Sequence, residues 1–349
     1  MLLINPPVSK PCEPPAGIAR LSGALASRGI KHRVLDSNLE GLLFLLQQPQ
    51  AASDTWTKRA WKNRDKHLTG LKDPQLYRSP DKYRRAVLDL DRVLATASSN
   101  SGSIVGLANF QHKELTPHRS SDLLRAAEQF EQSLFYPYFE QRLTSVVEEG
   151  HYDLVGISLN YLSQALATFA MIGFLRKRFP GIRIVLGGGL VTSWVRGIGR
   201  TDLFRGFVDT MVAGPGEQDL LRLHGIEPGD SGPCLPDYTG LPMSDYLSPG
   251  VVLPYSGSSG CWWNKCSFCP ERAEGNPYAP VSAEVMIEQL HRLSQQHKPS
   301  MIHLLDNAIS IAHMKALIKD PPGAPWYGFA RAGNELADEG FCRSLKTSG

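Results

Sequence analysis

The chain has 349 residues, enough for two domains of ordinary size. It is 42% hydrophobic and 20% charged, a globular composition, and its formal net charge of +3 is too small to argue for nucleic acid or a membrane surface. No apolar run reaches the ~18 residues of a membrane span. Met1-Leu2-Leu3-Ile4-Asn5-Pro6-Pro7 lacks the basic start of a signal peptide. These features predict a cytoplasmic protein, where six cysteines read as metal ligands or free thiols, not disulfides.

Leu2-Leu3-Ile4 reads as a buried strand stopped by Asn5-Pro6-Pro7. A helical pattern follows, with Ile18, Leu21 and Leu25 apolar and Gly29 as its end. His32 to Asp36 is a second strand, so strand, helix and strand make a parallel βαβ unit. From about residue 42 to 150 the rhythm breaks. This stretch is mostly helical, with Trp56, Trp61 and Tyr77 among many Lys and Arg, a loop-like patch from Ala97 to Ser103, and a long helix over Gln129–Val147 interrupted at Pro137. The basic and aromatic mix raises RNA contact. Solvated helix faces over a small core explain it better, which predicts an insertion capping the domain.

Alternation resumes with the apolar run Tyr152–Leu159, typical of a parallel strand buried on both faces. A helix with Leu162, Leu166, Phe169 and Ile172 inward follows, then the strand Ile182–Leu186, Gly187-Gly188-Gly189 and a helix. The strand Val208–Ala213 runs into Gly214-Pro215-Gly216-Glu217. Five such strands predict a doubly wound parallel α/β sheet over residues 1–226, whose ligands bind at the carboxyl ends of the strands. The loops there are Pro6-Pro7, Ser158-Leu159-Asn160-Tyr161 and the two glycine turns. Those turns suit either a ligand approached by backbone or tight helix packing. No G-x-G-x-x-G follows the first strand, which disfavours a dinucleotide. Residues 227–250, rich in Pro, Gly, Asp and Ser, read as a linker.

A second domain, 251–349, opens with the strand Val251–Tyr255 and the stretch Gly260-Cys261-Trp262-Trp263-Asn264-Lys265-Cys266-Ser267-Phe268-Cys269. Three of the six cysteines fall here, spaced C-x4-C-x2-C. Thiolates at this spacing can converge on one metal centre. Zinc wants a fourth ligand, and His291, His297 and Cys342 lie at no finger spacing. Three cysteines suit a [4Fe–4S] cluster with one iron left open; buried unpaired thiols are the remaining alternative. Ser282 can cap a helix with Met286, Leu290 and Leu293 on one face. Met301–Leu305 is a second strand ending in Asp306-Asn307, and Trp326–Arg331 a third with Arg331 at its functional end. His303 lies within its strand as a packing residue. Asn334–Lys346 reads as a helix.

Leu253 to Tyr278 resembles the signature of radical S-adenosylmethionine (SAM) enzymes: a three-cysteine loop after the first barrel strand, with an aromatic residue, here Phe268, before the last cysteine. The superfamily's commonest spacing is C-x3-C-x2-C. The longer loop looks like a variant in members with a cobalamin (B12) domain, where Gly-Cys-aromatic-Trp often opens it. Met1 to Gly225, without the insertion, is similar to that cobalamin-binding, Rossmann-like domain. The resemblance implies that Cys261, Cys266 and Cys269 hold a [4Fe–4S] cluster whose open iron binds SAM, and that an electron cleaves SAM to a 5′-deoxyadenosyl radical. It implies SAM contacts from Phe268, Asp306, Asn307 and Arg331. Corrinoid contacts would come from Ser158, Asn160, Gly187, Gly188, Gly189, Gly214, Gly216 and Glu217. Asp-x-His-x-x-Gly is absent, so no protein histidine is expected below the cobalt.

The expected activity is cobalamin-dependent methyl transfer to an unactivated carbon of a small molecule or peptide. An electron donor such as flavodoxin or ferredoxin is implied, with no membrane partner and no nucleic acid. Ring rearrangement, cyclisation or methylthiolation are alternatives, and a non-catalytic metal- or corrinoid-binding module is another. A six-unit partial barrel needs roughly 180 residues. Residues 251–349 supply about half of that, so the chain is expected to be a fragment of a longer enzyme, doubtful as a catalyst alone.

Overall fold

A computed structural model describes residues 1–49, 54–199, 202–227 and 232–349. Two compact units emerge: Met1–Pro228 with Pro236–Leu247, and Gly229–Leu235 with Ser248–Gly349.

The first unit is built on strands β1 (Leu2–Asn5), β2 (Arg33–Asp36), β5 (Leu154–Ser158), β6 (Arg183–Gly187) and β7 (Thr210–Met211), with a hairpin of β3 (Ser103–Val105) and β4 (Phe110–His112) between them in the chain. The five form one parallel sheet in the order β2-β1-β5-β6-β7. Counted along this sheet alone, the order is 2-1-3-4-5, one of the two common doubly wound arrangements, and its switch point lies between β1 and β5. Both of those strands are buried along their whole length, because apolar runs without alternation cover both faces with helices. The helix Leu162–Arg178 supplies much of that cover, with Gln164 to Leu175 continuously buried.

The insertion does not sit over a small core of its own. Leu90, Val93, Phe135, Tyr138 and Phe139 belong to the same apolar cluster as Leu2, Ile4, Val155 and Ile157. A Cβ built at Gly173 on the helix Leu162–Arg178 would lie 1.8 Å from the Ala127 carbonyl oxygen of the helix Ser120–Glu128. Only glycine permits that approach. Pro137 also acts differently from expectation. It sits at the start of the helical turn Tyr136–Tyr138, where its missing N–H costs nothing, and the chain continues through a π-helical stretch, Phe139–Leu143, into Thr144–Gly150.

Of the expected linker, residues 228–231 lie outside those described. Pro236–Leu247 is built into the first unit, with Tyr238 and Tyr246 both buried there. Apolar tyrosine rings outweigh the turn-rich composition that suggested a free tether.

The second unit holds a three-stranded parallel sheet, β12-β11-β8, from β8 (Val252–Tyr255), β11 (Met301–Leu304) and β12 (Trp326–Gly328). The helices Ala283–His297 and Ile311–Lys319 follow β8 and β11, as in β/α barrels. Ser282 and Ser310 cap them, accepting from the amides of Val285 and His313. A short antiparallel pair, β9 (Ser258–Ser259) with β10 (Ala279–Pro280), closes the excursion between them. β12 is shorter than expected, so Arg331 lies beyond its end. The expected last helix is two, Asn334–Ala337 and Glu339–Thr347, because Asp338 caps a new start at Phe341 N–H.

Candidate functional site

The cysteine loop leaves the carboxyl end of β8, where β/α folds place their chemistry. Its two feet are the paired strands β9 and β10, so residues 260–278 form a closed excursion. Gly260 has φ +70°, and a Cβ there would lie 2.3 Å from the Pro277 carbonyl oxygen, so the first foot needs glycine. Asn264, also left-handed at φ 43°, turns the chain between the first and second cysteines. The Cys269 N–H donates to the Cys266 carbonyl at 3.3 Å.

Cys261, Cys266 and Cys269 are half-buried and free of disulfides. Among the described residues, no three His, Cys, Asp or Glu side chains stand gathered as a metal site. The donor chemistry nevertheless fits an iron–sulfur group: three soft sulfur ligands on one loop and no hard ligand set beside them. Two buried polar atoms on the same loop, Trp262 Nε1 and Glu271 Oε2, have no hydrogen-bond partner among the described residues. Such orphans are uncommon in a finished interior. Phe268 is 89% exposed.

Asp306 and Asn307 follow β11, beside the loop. Asp306 is buried, its Oδ2 accepting from the Gly257 N–H at 2.9 Å and its Oδ1 from the Ser258 hydroxyl at 2.5 Å. Its carboxylate is thus engaged inside the fold. Asn307 is exposed and donates from Nδ2 to the Gly260 carbonyl at 3.2 Å. Arg331 lies over the Trp263 ring, its guanidinium carbon 3.2 Å from the centroid, and Lys265 Nζ approaches the same ring at 4.8 Å. The structure therefore brings Asn307 and Arg331 to the loop, and Asp306 to its base. Burial pushes the Tyr278 phenol above its ordinary value. His303 stacks on Tyr327, centroids 4.4 Å apart, and packs as expected.

At the carboxyl edge of the larger sheet most polar candidates already have partners within the unit. Asn160 Nδ2 donates to the Ser158 hydroxyl at 3.1 Å and Asn160 Oδ1 accepts from the Gly189 N–H at 2.9 Å. Glu217 is paired with Arg20 at 2.6 Å. A Cβ at Gly188, with φ +109°, would lie 2.4 Å from the Leu159 carbonyl oxygen, so that glycine serves packing. Gly187, Gly189 and Gly216 would meet only ordinary contacts, and the Gly214 N–H donates to the Thr192 hydroxyl oxygen at 2.8 Å.

Asp36 was visible in the sequence only as a strand end. It is buried, caps the helix Ser37–Gln47 through the Leu39 N–H, and accepts from Asn5 Nδ2 at 2.9 Å and the Tyr246 hydroxyl at 2.7 Å. Burial pushes its carboxyl above the ordinary range, against the hydrogen bonds that pull it down. A strand-end aspartate followed by a helical pattern was the available signal; Tyr246 had none, being 210 residues away.

No protein-family model matches the chain, and no curated protein does. Among solved structures, it is similar to that of the radical S-adenosylmethionine methyltransferase TsrM from Kitasatospora setae, with tryptophan substrate and a SAM analogue (aza-SAM) bound. The TM-score is 0.50 at 15% identity, over 100% of this chain and 57% of that one. The shared fold is a doubly wound parallel sheet followed by a second parallel β/α sheet. At this identity the likeness is one of fold, and the chain spans little more than half the length of TsrM. Among the described residues, no helix is long and apolar enough to cross a membrane.

Proposed function

We propose that this chain carries the cofactor-binding elements of a cobalamin-dependent radical SAM enzyme, with methyl transfer as its reaction. The observation that carries this reading is the C-x4-C-x2-C loop of free thiols at the carboxyl end of the first strand of a parallel β/α sheet. Cys261, Cys266 and Cys269 would hold the [4Fe–4S] cluster, which when bound supplies the electron that cleaves SAM, with cobalamin as methyl carrier. Asn307, exposed beside the loop, can accept the SAM amino group through its amide oxygen, because among the described residues only its Nδ2 is committed. Arg331 offers a guanidinium for the SAM carboxylate or a substrate anion while its face stays on Trp263. Phe268 presents a ring to the adenine.

Support for the corrinoid is topological: the 2-1-3-4-5 order and the open glycines 187, 189 and 216 at the carboxyl edge. Ser158, Asn160 and Glu217 would have to exchange internal bonds for contacts to it.

Anaerobic reconstitution should give iron and sulfide in about a 4:4 ratio. Cys266→Ala should abolish the cluster absorption, and an unchanged spectrum overturns the ligand assignment. Reduced, reconstituted protein should cleave SAM, and methyl-labelled SAM separates methyl transfer from rearrangement, cyclisation or methylthiolation. A protein that takes up zinc and no iron would sink the proposal.

A further inference from the structure

We infer that Asp306 is the positioning residue of the cysteine loop, fastening its first foot to the end of β11; the inference builds on the reading of the three cysteines as cluster ligands. The side chain is buried and faces two groups just before the first cysteine, the Gly257 N–H at 2.9 Å and the Ser258 hydroxyl at 2.5 Å. Together the two bonds engage both carboxyl oxygens. Neither is needed to form β8 or β11, whose ladder runs from Met301↔Val252 to Leu304↔Tyr255. They tie instead the residues that lead out of β8 towards Cys261.

The second foot is fastened from the next helix. His313, buried on Ile311–Lys319, bonds through Nε2 to the Val281 carbonyl at 2.8 Å. The Val281 N–H in turn donates to the Gly257 carbonyl at 2.8 Å. A Cβ on Gly257 would lie 3.2 Å from the His313 ring, so that glycine lets the imidazole pass beneath the loop. Gly257 thus donates to Asp306 on one side and accepts from Val281 on the other, and the two legs meet at its peptide groups. Asn307 adds a bond to the Gly260 carbonyl at 3.2 Å. Three chain segments far apart in sequence therefore converge on the base of one excursion. The outer part is held more lightly, by Arg272 Nη1 donating to the Lys265 carbonyl at 3.0 Å and by Arg331 over Trp263, with Phe268 exposed. Fixed feet below this rim let the thiols close on a metal without the loop first having to find its path, the general benefit of a preorganised second layer.

Hydrogen exchange in the metal-free protein and iron loss to a chelator in the reconstituted protein test this together. Asp306→Ala and Ser258→Ala should raise exchange at residues 256–261 and speed iron loss by about tenfold, the factor set by one net hydrogen bond. Ser258→Thr, which keeps the hydroxyl, should restore both, and exchange within β8 and β11 should stay as in the parent. Unchanged exchange at 256–261 in both alanine variants overturns the inference. So does loosening that spreads through β8 and β11 with Ser258→Ala silent, because Asp306 would then be a core residue alone. If the parent protein binds no iron, the proposed function fails, while the exchange measurement still decides the role of Asp306.

Discussion

Asp36 ends β2 in the first unit and Asp306 follows β11 in the second, and each is 3% exposed. Asp36 turns inward to its own fold: a helix cap, Asn5 and the returning Tyr246 use its oxygens. Asp306 spends its oxygens on the base of a loop whose outer part is left half-built, with free thiols and the unpartnered atoms Trp262 Nε1 and Glu271 Oε2. Similar residues at similar strand ends therefore do different work. Unpartnered buried atoms occur in both places, Ser37 Oγ beside Asp36 as well as the two on the loop, so it is the three free thiols that set the loop apart.

The sharpest way to break this contrast is to damage the first unit and look for an effect on the second. Gly173→Ala forces a methyl group onto the Ala127 carbonyl and should cost the first unit about 3 kcal/mol, the upper part of the overpacking range, measured by urea unfolding. Iron uptake by the cysteine loop should survive wherever the variant stays folded. A smaller effect tests Asp36 itself. Its folded-state carboxyl lies above the ordinary 3.8, so its contribution to stability is complete below that value and is lost as pH rises through the raised one. Asp36→Asn, which keeps acceptor and shape, should therefore flatten the fall in melting temperature above pH 4, and an identical pH profile in variant and parent would contradict the assignment. The smallest effect belongs to Arg331→Ala. Loss of an exposed cation–π contact with Trp263 should cost no more than about 1 kcal/mol, yet shift the tryptophan emission of the loop.

Much of the fold was legible because it rests on periodicity. The runs within Leu2–Asn5, Leu154–Ser158 and Arg183–Gly187 show the apolar character that burial on both faces demands. The size of the core under the insertion was not legible, because exposed basic residues on the helices Thr55–Leu71 and Pro80–Ala97 mask Leu90 and Val93, which share a core with β1. The hairpin β3–β4 was missed, since three-residue strands carry too little pattern. In the site, the cysteines announce themselves by spacing. Ser258, Gly257 and His313 do not, because their roles come from contacts across 49 and 32 positions of chain that no local signal encodes.

The route of the backbone between the units has a practical corollary. Residues 232–235 belong to the second unit, where the Pro233 carbonyl accepts from Gln289, whereas Pro236–Leu247 belongs to the Rossmann-like one. An excised piece ending at residue 227 would be missing Tyr246 and would strand Asp36 with one hydrogen-bond donor fewer. Anyone isolating that half for ligand titrations should cut after Leu247 and accept a crossover strap as part of the product.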